Sequence, residues 1–247
     1  MSQLNTYSVP ALATFAPALV IFDKGGTLID FRAMWGEWAT ELARQLESSL
    51  GSAIAGRWLE AIQFDPQSGQ IEPTGPLAVL PLANLRVLTV DVLAEAGLSP
   101  QEAQVAVAAI WHAPDPVNSA HPLTDLVALF SALHHRGAKI AIATMDERAS
   151  TEAQLVCLGL ESCVDALVCV DDGVPGKPAP DMVWAVCRMT GVAPTQAAVV
   201  GDAIADLEMG RSAGAGLVIG VLSGISPIEM LAPQADLVIR SVAELIR

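Results

Sequence analysis

Asp23 closes a short apolar run in "VIFDKGGTLID" (20–30) and is followed by the turn-forming pair Gly25 and Gly26, then Thr27. Three more pieces come later in the chain: Thr144 in "IAIATMD", Lys177 in "GKPAPD", and Asp202 with Asp206 in "VVGDAIAD". Singly, each has a structural explanation, since an Asp after a strand caps turns and a Gly-Asp pair is common in loops. Together they are a set for phosphoryl transfer. A carboxylate such as Asp23 can attack phosphorus and hold it as an aspartyl phosphate, which splits one hard displacement into two easier ones. Attack by an anion on an anion requires neutralisation. Mg²⁺, a hard ion that prefers oxygen, would be held by Asp23 and Asp202, with a backbone carbonyl and water completing its shell. Lys177 would give fixed positive charge to the equatorial phosphoryl oxygens and to Asp23. Thr144 and nearby backbone N–H groups, such as that of Met145, would hydrogen-bond those oxygens. Asp206 is one helical turn beyond Asp202 and within reach of the metal or its waters. Gly25 and Gly26 let the main chain approach the phosphate, with Thr27 completing the turn. Lys24 is expected either to lend charge beside Asp23 or to point to solvent.

These residues need a frame that brings them together. Apolar runs recur at 18–22, 139–144, 166–170, 197–201, 216–220 and 235–239, rich in Val, Ile and Ala without polar alternation. Such runs read as strands covered on both faces. Segments of helical pattern lie between the later ones, at 147–158, 178–190 and 204–213. This alternation predicts an α/β fold, a Rossmann-like parallel sheet with helices on both faces. Working groups in such sheets gather beyond the carboxyl ends of the strands, where Asp23, Thr144 and Asp202 each stand. Between about Phe31 and Ala120 the pattern predicts no strands, only helices at 32–50, 52–63, 79–96 and 100–112. The loop "FDPQSGQIEPTGP" (64–76) interrupts them, and "HAPDPVNSAHP" (112–122) reads as the return linker. The expected organisation is a leader over 1–17, a core from 18–30 and 121–247, and an inserted all-α cap over 31–120.

Composition narrows the partners. The formal charge of −14, with only 13 Lys and Arg, argues against nucleic acid and acidic membranes. A small anionic phosphorylated substrate needs only a cation or two and a metal. No apolar run reaches membrane-spanning length, and the first residues lack the basic start and apolar centre of a signal peptide. The four cysteines, Cys157, Cys163, Cys169 and Cys187, contain no Cys-x-x-Cys pair. They are expected to be buried small hydrophobes in a reduced, cytoplasmic monomer or homodimer.

With these residues in view, the chain resembles the haloacid dehalogenase-like hydrolase superfamily, in the branch with a helical cap inserted after the first motif. The run "GKPAPD…GDAIADLEMGRSAGAG" (176–216) is the most specific part of the likeness. The resemblance implies that Asp23 is the nucleophile, Thr144 and Lys177 the phosphate and charge-balancing residues, and Asp202 a metal ligand. It further makes Asp206 a supporting carboxylate and the Gly25 carbonyl another ligand. The cap would choose the substrate, with 64–76 a candidate specificity loop.

The chain departs from the family at Gly25, where its phosphatases usually carry a second Asp as general acid and then general base. Such help is typically worth ~100- to 10,000-fold. Three outcomes are open: a substrate with a good leaving group (an acyl phosphate, anhydride or enol phosphate), an acid borrowed from His112, His121, Glu37 or Asp30, or a non-catalytic metabolite-binding protein. Phosphonatases need a cap lysine, and Lys24, Lys139 and Lys177 all lie outside 31–120. Dehalogenases dispense with metal, whereas Asp202 and Asp206 keep the metal carboxylates. "DKGGTL" also resembles the first motif of P-type ion pumps, which the lack of a spanning run argues against. Trp35, Trp38 and Trp58 are expected to pack in the cap core, and Arg32 and Arg57 are its candidate cations for an anionic substrate. His134 and His135 read as the end of a helix, and Asp181 as a first-turn helix acid.

Overall fold

The structure, a computed structural model, describes residues 15–246. It divides into two compact units: one from the residues up to Asp30 together with 122–246, the other Phe31–His121. The leader expected over 1–17 falls outside the described residues except for its end. There Phe15 packs against the core, so the chain is already held at that point.

The first unit is a six-stranded sheet in the order β5-β4-β1-β6-β7-β8, with every neighbouring pair parallel. The strands are β1 (Leu19–Phe22), β4 (Lys139–Ala143), β5 (Ala166–Val168), β6 (Ala197–Gly201), β7 (Leu217–Val221) and β8 (Leu237–Ile239). Helices α6 (Leu126–His135), α7 (Arg148–Cys157), α8 (Asp181–Thr190) and α9 (Ile204–Ala213) connect them, with the short α10 (Ile228–Leu231) before β8. All four residues of β1 are buried, because helices cover both faces. Val20 and Phe22 join Leu126, Leu129 and Phe130 of α6, while Leu19 and Ile21 join Met182, Val183 and Val186 of α8. The helix expected from 178 begins only at Asp181, since Pro180 occupies its N-cap.

The strand order fixes where a site can form. From β1 the chain passes to β4 and β5 on one side, then returns past β1 to build β6, β7 and β8 on the other. β1 therefore stands at the topological switch point, where the connections diverge and leave a crevice beyond the strand ends. Phe22 pairs with Ile142 of β4 and Val200 of β6, so Asp23 leaves the sheet between the segments that carry Thr144 and Asp202. The Asp23 N–H still donates to Val200 O at 2.8 Å.

The second unit contains α1 (Phe31–Leu50), α2 (Ser52–Ile62), the short α3 (Pro76–Val79), α4 (Leu82–Glu95) and α5 (Pro100–Ile110). Its core is aromatic at the centre. Trp38 meets Trp35, Trp58 and Trp111 edge-on at 5.4, 6.1 and 5.4 Å. The indole N–H of Trp38 donates to His112 O at 2.8 Å, and that of Trp58 to Thr89 Oγ1 at 2.9 Å. The unit is not wholly helical. Phe64–Asp65 (β2) and Gln70–Ile71 (β3) form an antiparallel hairpin inside the stretch read as a plain loop. Phe64 and Ile71 bury opposite one another, while Asp65 closes the turn by accepting from Gln67 N–H (2.9 Å) and the Ser68 hydroxyl (2.6 Å).

Candidate functional site

At the carboxyl end of β1 the Asp23 carboxylate is joined by Lys177, whose ammonium binds both it and Asp206, the latter at 2.7 Å. Lys177 arrives on the loop before α8, and Asp202 and Asp206 lie on either side of the start of α9. Asp206 accepts from the Ala203 N–H at 3.0 Å, a bond to the first turn of the helix that fixes its rotamer. One oxygen from each of Asp23, Asp202 and Asp206 lies within 4.8 Å of the other two, and among the described residues no other such group of His, Cys, Asp or Glu occurs.

Asp202 is enclosed by main chain. Its carboxylate accepts from Ile225 N–H at 3.0 Å and from the Thr27 hydroxyl at 3.3 Å. Gly26 (φ +83) and Gly224 both back onto it, and a Cβ at either would overlap the carboxylate. The Ser223 hydroxyl donates to Gly26 O at 2.8 Å, tying the loop after β7 to the loop after β1. Ser223, Gly224 and Ile225 escaped the sequence reading. The signal available was their position, since they follow a predicted strand and so belong to the same edge.

The electrostatics follow from burial and crowding. Burial pushes the Asp23 carboxyl up to about 7, with Asp206 adding to the rise and Lys177 opposing it. Asp202 is raised well above the usual carboxylate range, by burial first and then by the charges of Asp23 and Asp206. Burial alone would lower Lys177, but Asp206 and Asp23 outweigh it and hold the ammonium above its ordinary value. With all three carboxyls ionised, the one ammonium would leave a surplus of two negative charges in a site whose available metal ligands are all oxygen, which is why burial and crowding favour protonation when no cation is bound. A divalent hard cation fits that set, and Mg²⁺ prefers this chemistry.

The other expected residues divide. Thr144 is buried at the end of β4, its N–H donating to Val168 O (3.0 Å) and its Oγ1 accepting from Asp146 N–H (3.1 Å). Gly25 lies in the loop after β1, bridged to Ile29, and Met145 packs its side chain against the core while its main chain stays in the turn after β4. Thr27, expected at the phosphate, turns its hydroxyl to Asp202. Lys24 neither points to solvent nor offers its ammonium at the Asp23 side. It is buried, paired with Asp146 at 2.7 Å and hydrogen-bonded to Thr151 (3.4 Å) and Gln154. In the helical unit Arg32, Arg57, Glu37, His112 and His121 are exposed, and a cavity of about 410 Å³ between α1 and the hairpin is lined by Arg32, Gly36, Thr40, Phe64 and Pro66. His134 lies 3.1 Å from Asp165 at the end of α6. Cys157 is exposed, against the expectation of burial, because it is the last residue of α7. Among the described residues no helix is long and apolar enough to cross a membrane.

The family described as "haloacid dehalogenase-like hydrolase" matches residues 17–214. The fructose-1-phosphate phosphatase YqaB of Escherichia coli is 38% identical over 93 residues, covering 38% of this chain and 47% of that protein. A phosphoglycolate phosphatase of Rhodospirillum rubrum is 32% identical over 108 residues, covering 44% of this chain and 45% of that one. The match thus spans about half the length of these relatives. Among solved structures, a hydrolase from Pseudomonas syringae superposes with a TM-score of 0.60 at 22% identity, covering 93% of this chain and 96% of that one, which speaks for the fold.

Proposed function

We propose, from the premise that the chain belongs to the haloacid dehalogenase-like hydrolase family, that it is a phosphohydrolase of small phosphorylated metabolites. One observation carries the reading. Four groups from three distant segments, Asp23, Lys177, Asp202 and Asp206, converge at the switch point of the sheet with carboxylate oxygens within 4.8 Å of one another. Two similar proteins are phosphatases by name, which supports the same class. In this reading Asp23 attacks phosphorus and carries the phosphoryl group as an aspartyl phosphate until water removes it. Lys177 opposes the protonation of Asp23 that burial favours, aligns its carboxylate, and offers its charge to the equatorial oxygens. The Thr144 hydroxyl accepts from Asp146 N–H, so its own proton is available to a phosphoryl oxygen. Mg²⁺ would be held by Asp23, Asp202, Asp206 and the Gly25 carbonyl, and when bound would neutralise charge on the transferring group. The helical unit, with its hairpin, would select the substrate. Four cysteines without a disulfide among them suit a reducing, cytoplasmic setting.

Glycine at 25 supplies no proton donor for the leaving oxygen. The substrates favoured are those whose leaving group departs without one, acyl phosphates and anhydrides before simple monoesters. The same glycine supports a second reading, a protein that binds a phosphorylated metabolite without turning it over. A panel of phosphate esters, anhydrides and acyl phosphates with Mg²⁺, run beside Asp23→Asn, separates the two. Turnover abolished by Asp23→Asn supports the covalent route, and turnover that survives the substitution rejects it. Silence across the panel supports the binding role.

A further inference from the structure

Among the described residues, the ion pair between the buried Lys24 and the partly exposed Asp146 is a charge network beside the site that the proposed chemistry does not use. Lys24 is next to the nucleophile in sequence but reaches the other face of the sheet, where it is 1% exposed. Its ammonium has three donors and meets three acceptors: Asp146 Oδ2 at 2.7 Å, Thr151 Oγ1 at 3.4 Å and Gln154 Oε1. Thr151 and Gln154 are three residues apart on α7 and so share one face, the face turned to Lys24. All three acceptors come from the segment that begins at Thr144. Stability alone does not explain such a network, since a buried ion pair is often no better than well-packed apolar residues.

What the pair does is constrain a turn. Asp146 is held at its side chain by Lys24, while its carbonyl accepts from Val170 N–H at 3.3 Å. Fixed at both points, it aims its own N–H at Thr144 Oγ1 across 3.1 Å. That bond occupies a lone pair of the hydroxyl and sets where its proton can point. We infer that Lys24 is a positioning residue for phosphate: acting through Asp146, it orients the Thr144 hydroxyl and the 144–146 turn toward a phosphoryl group while itself touching none. The inference rests on the phosphohydrolase reading and adds to it a residue that acts from behind the sheet.

The competing account is that Lys24 acts through its charge alone. Two substitutions of opposite charge effect separate these. K24M removes a positive charge and D146N a negative one, so a field effect would weaken phosphate binding in the first and tighten it in the second. Loss of positioning weakens both. The probe is inorganic phosphate in saturating Mg²⁺, measured by calorimetry, with Mg²⁺ affinity measured separately. Both variants are expected to bind phosphate about tenfold more weakly, the scale of one well-aligned hydrogen bond, with Mg²⁺ affinity within about twofold of the parent. Unchanged phosphate affinity in K24M overturns the inference, as do effects of opposite sign in the two variants or equal loss of phosphate and Mg²⁺. If K24M does not fold, D146N decides: Asp146 is partly exposed and tolerates the change, and unchanged or tighter phosphate binding there overturns the inference. A parent protein that binds Mg²⁺ but no phosphate overturns the phosphohydrolase reading and this inference together, whereas parent binding with an unaffected K24M overturns this inference alone.

Discussion

The metal-free protein should lose stability as pH rises, and Asp23→Asn should remove much of that loss. In the folded chain the Asp23 carboxyl is raised from 3.8 to about 7, chiefly by burial. Between those values the native state holds a proton that the unfolded chain releases, so stability is greatest at low pH and declines as pH passes through the folded value. One pH unit across that window costs about 1.4 kcal/mol, and integration from about pH 5 to about pH 8 gives a loss of roughly 2.5 kcal/mol from Asp23. At this chain length that corresponds to a Tm lower by about 5–10 °C. Asp202, raised in part by the charge of Asp23, adds a loss of the same sign. Asn at 23 is nearly the same shape and its amide oxygen can still accept from Lys177, which also retains Asp206. The assay is thermal unfolding followed by circular dichroism in chelator at both pH values, for the parent and Asp23→Asn. Titrations common to both proteins cancel in the comparison. Parent and variant profiles that superimpose, or a parent that gains on the variant as pH rises, would refute the argument. Mg²⁺ added at the higher pH should restore the parent more than the variant, by about 2.7 kcal/mol at a hundredfold excess over Kd.

Gly26→Ala should reduce Mg²⁺ affinity, because its Cβ would overlap the Asp202 carboxylate at a φ of +83; calorimetry with Mg²⁺ checks it, and unchanged affinity would show that Asp202 is not a ligand. Gly25→Asp should raise turnover of a simple phosphate monoester by about 100-fold or more, if the missing general acid is what limits it. A steady-state assay with p-nitrophenyl phosphate reads this out, and no gain with Mg²⁺ affinity intact means the acid comes from elsewhere. Trp58→Phe removes the indole donor to Thr89 Oγ1 and should destabilise the helical unit by about 1–3 kcal/mol, seen in urea unfolding.

The sheet was legible because its strands are covered on both faces and read as unbroken apolar runs; all six predicted runs are strands. Asp23 and Asp202 were legible because each follows a strand, Lys177 because it follows a Gly in a Gly/Pro turn, and Asp206 because it lies one helical turn beyond Asp202. Three things were not. The hairpin at 64–71 depends on only two buried residues, Phe64 and Ile71, too few to register as a period. The environment of Lys24 depends on how α7 and the turn before it are placed in the fold, and a charged residue just past an apolar strand gives no sign of its partner 122 residues later. The loop at Ser223–Ile225 acts through a main-chain N–H and a missing Cβ, neither of which has a side-chain signature.

The groups that hold Asp202 are the Ile225 N–H, the Thr27 hydroxyl and the bare backbone of Gly26 and Gly224. Lys177 is held by Asp23 and Asp206, and Asp206 by the first turn of α9. None of these contacts involves a side chain at position 25. Assembly of the charged site and delivery of a proton to the leaving group therefore depend on different residues, and a chain can lose the second without disturbing the first. In the proposed mechanism, glycine at 25 shifts the choice of substrate toward better leaving groups and leaves the affinity for Mg²⁺ and phosphate where the other residues set it.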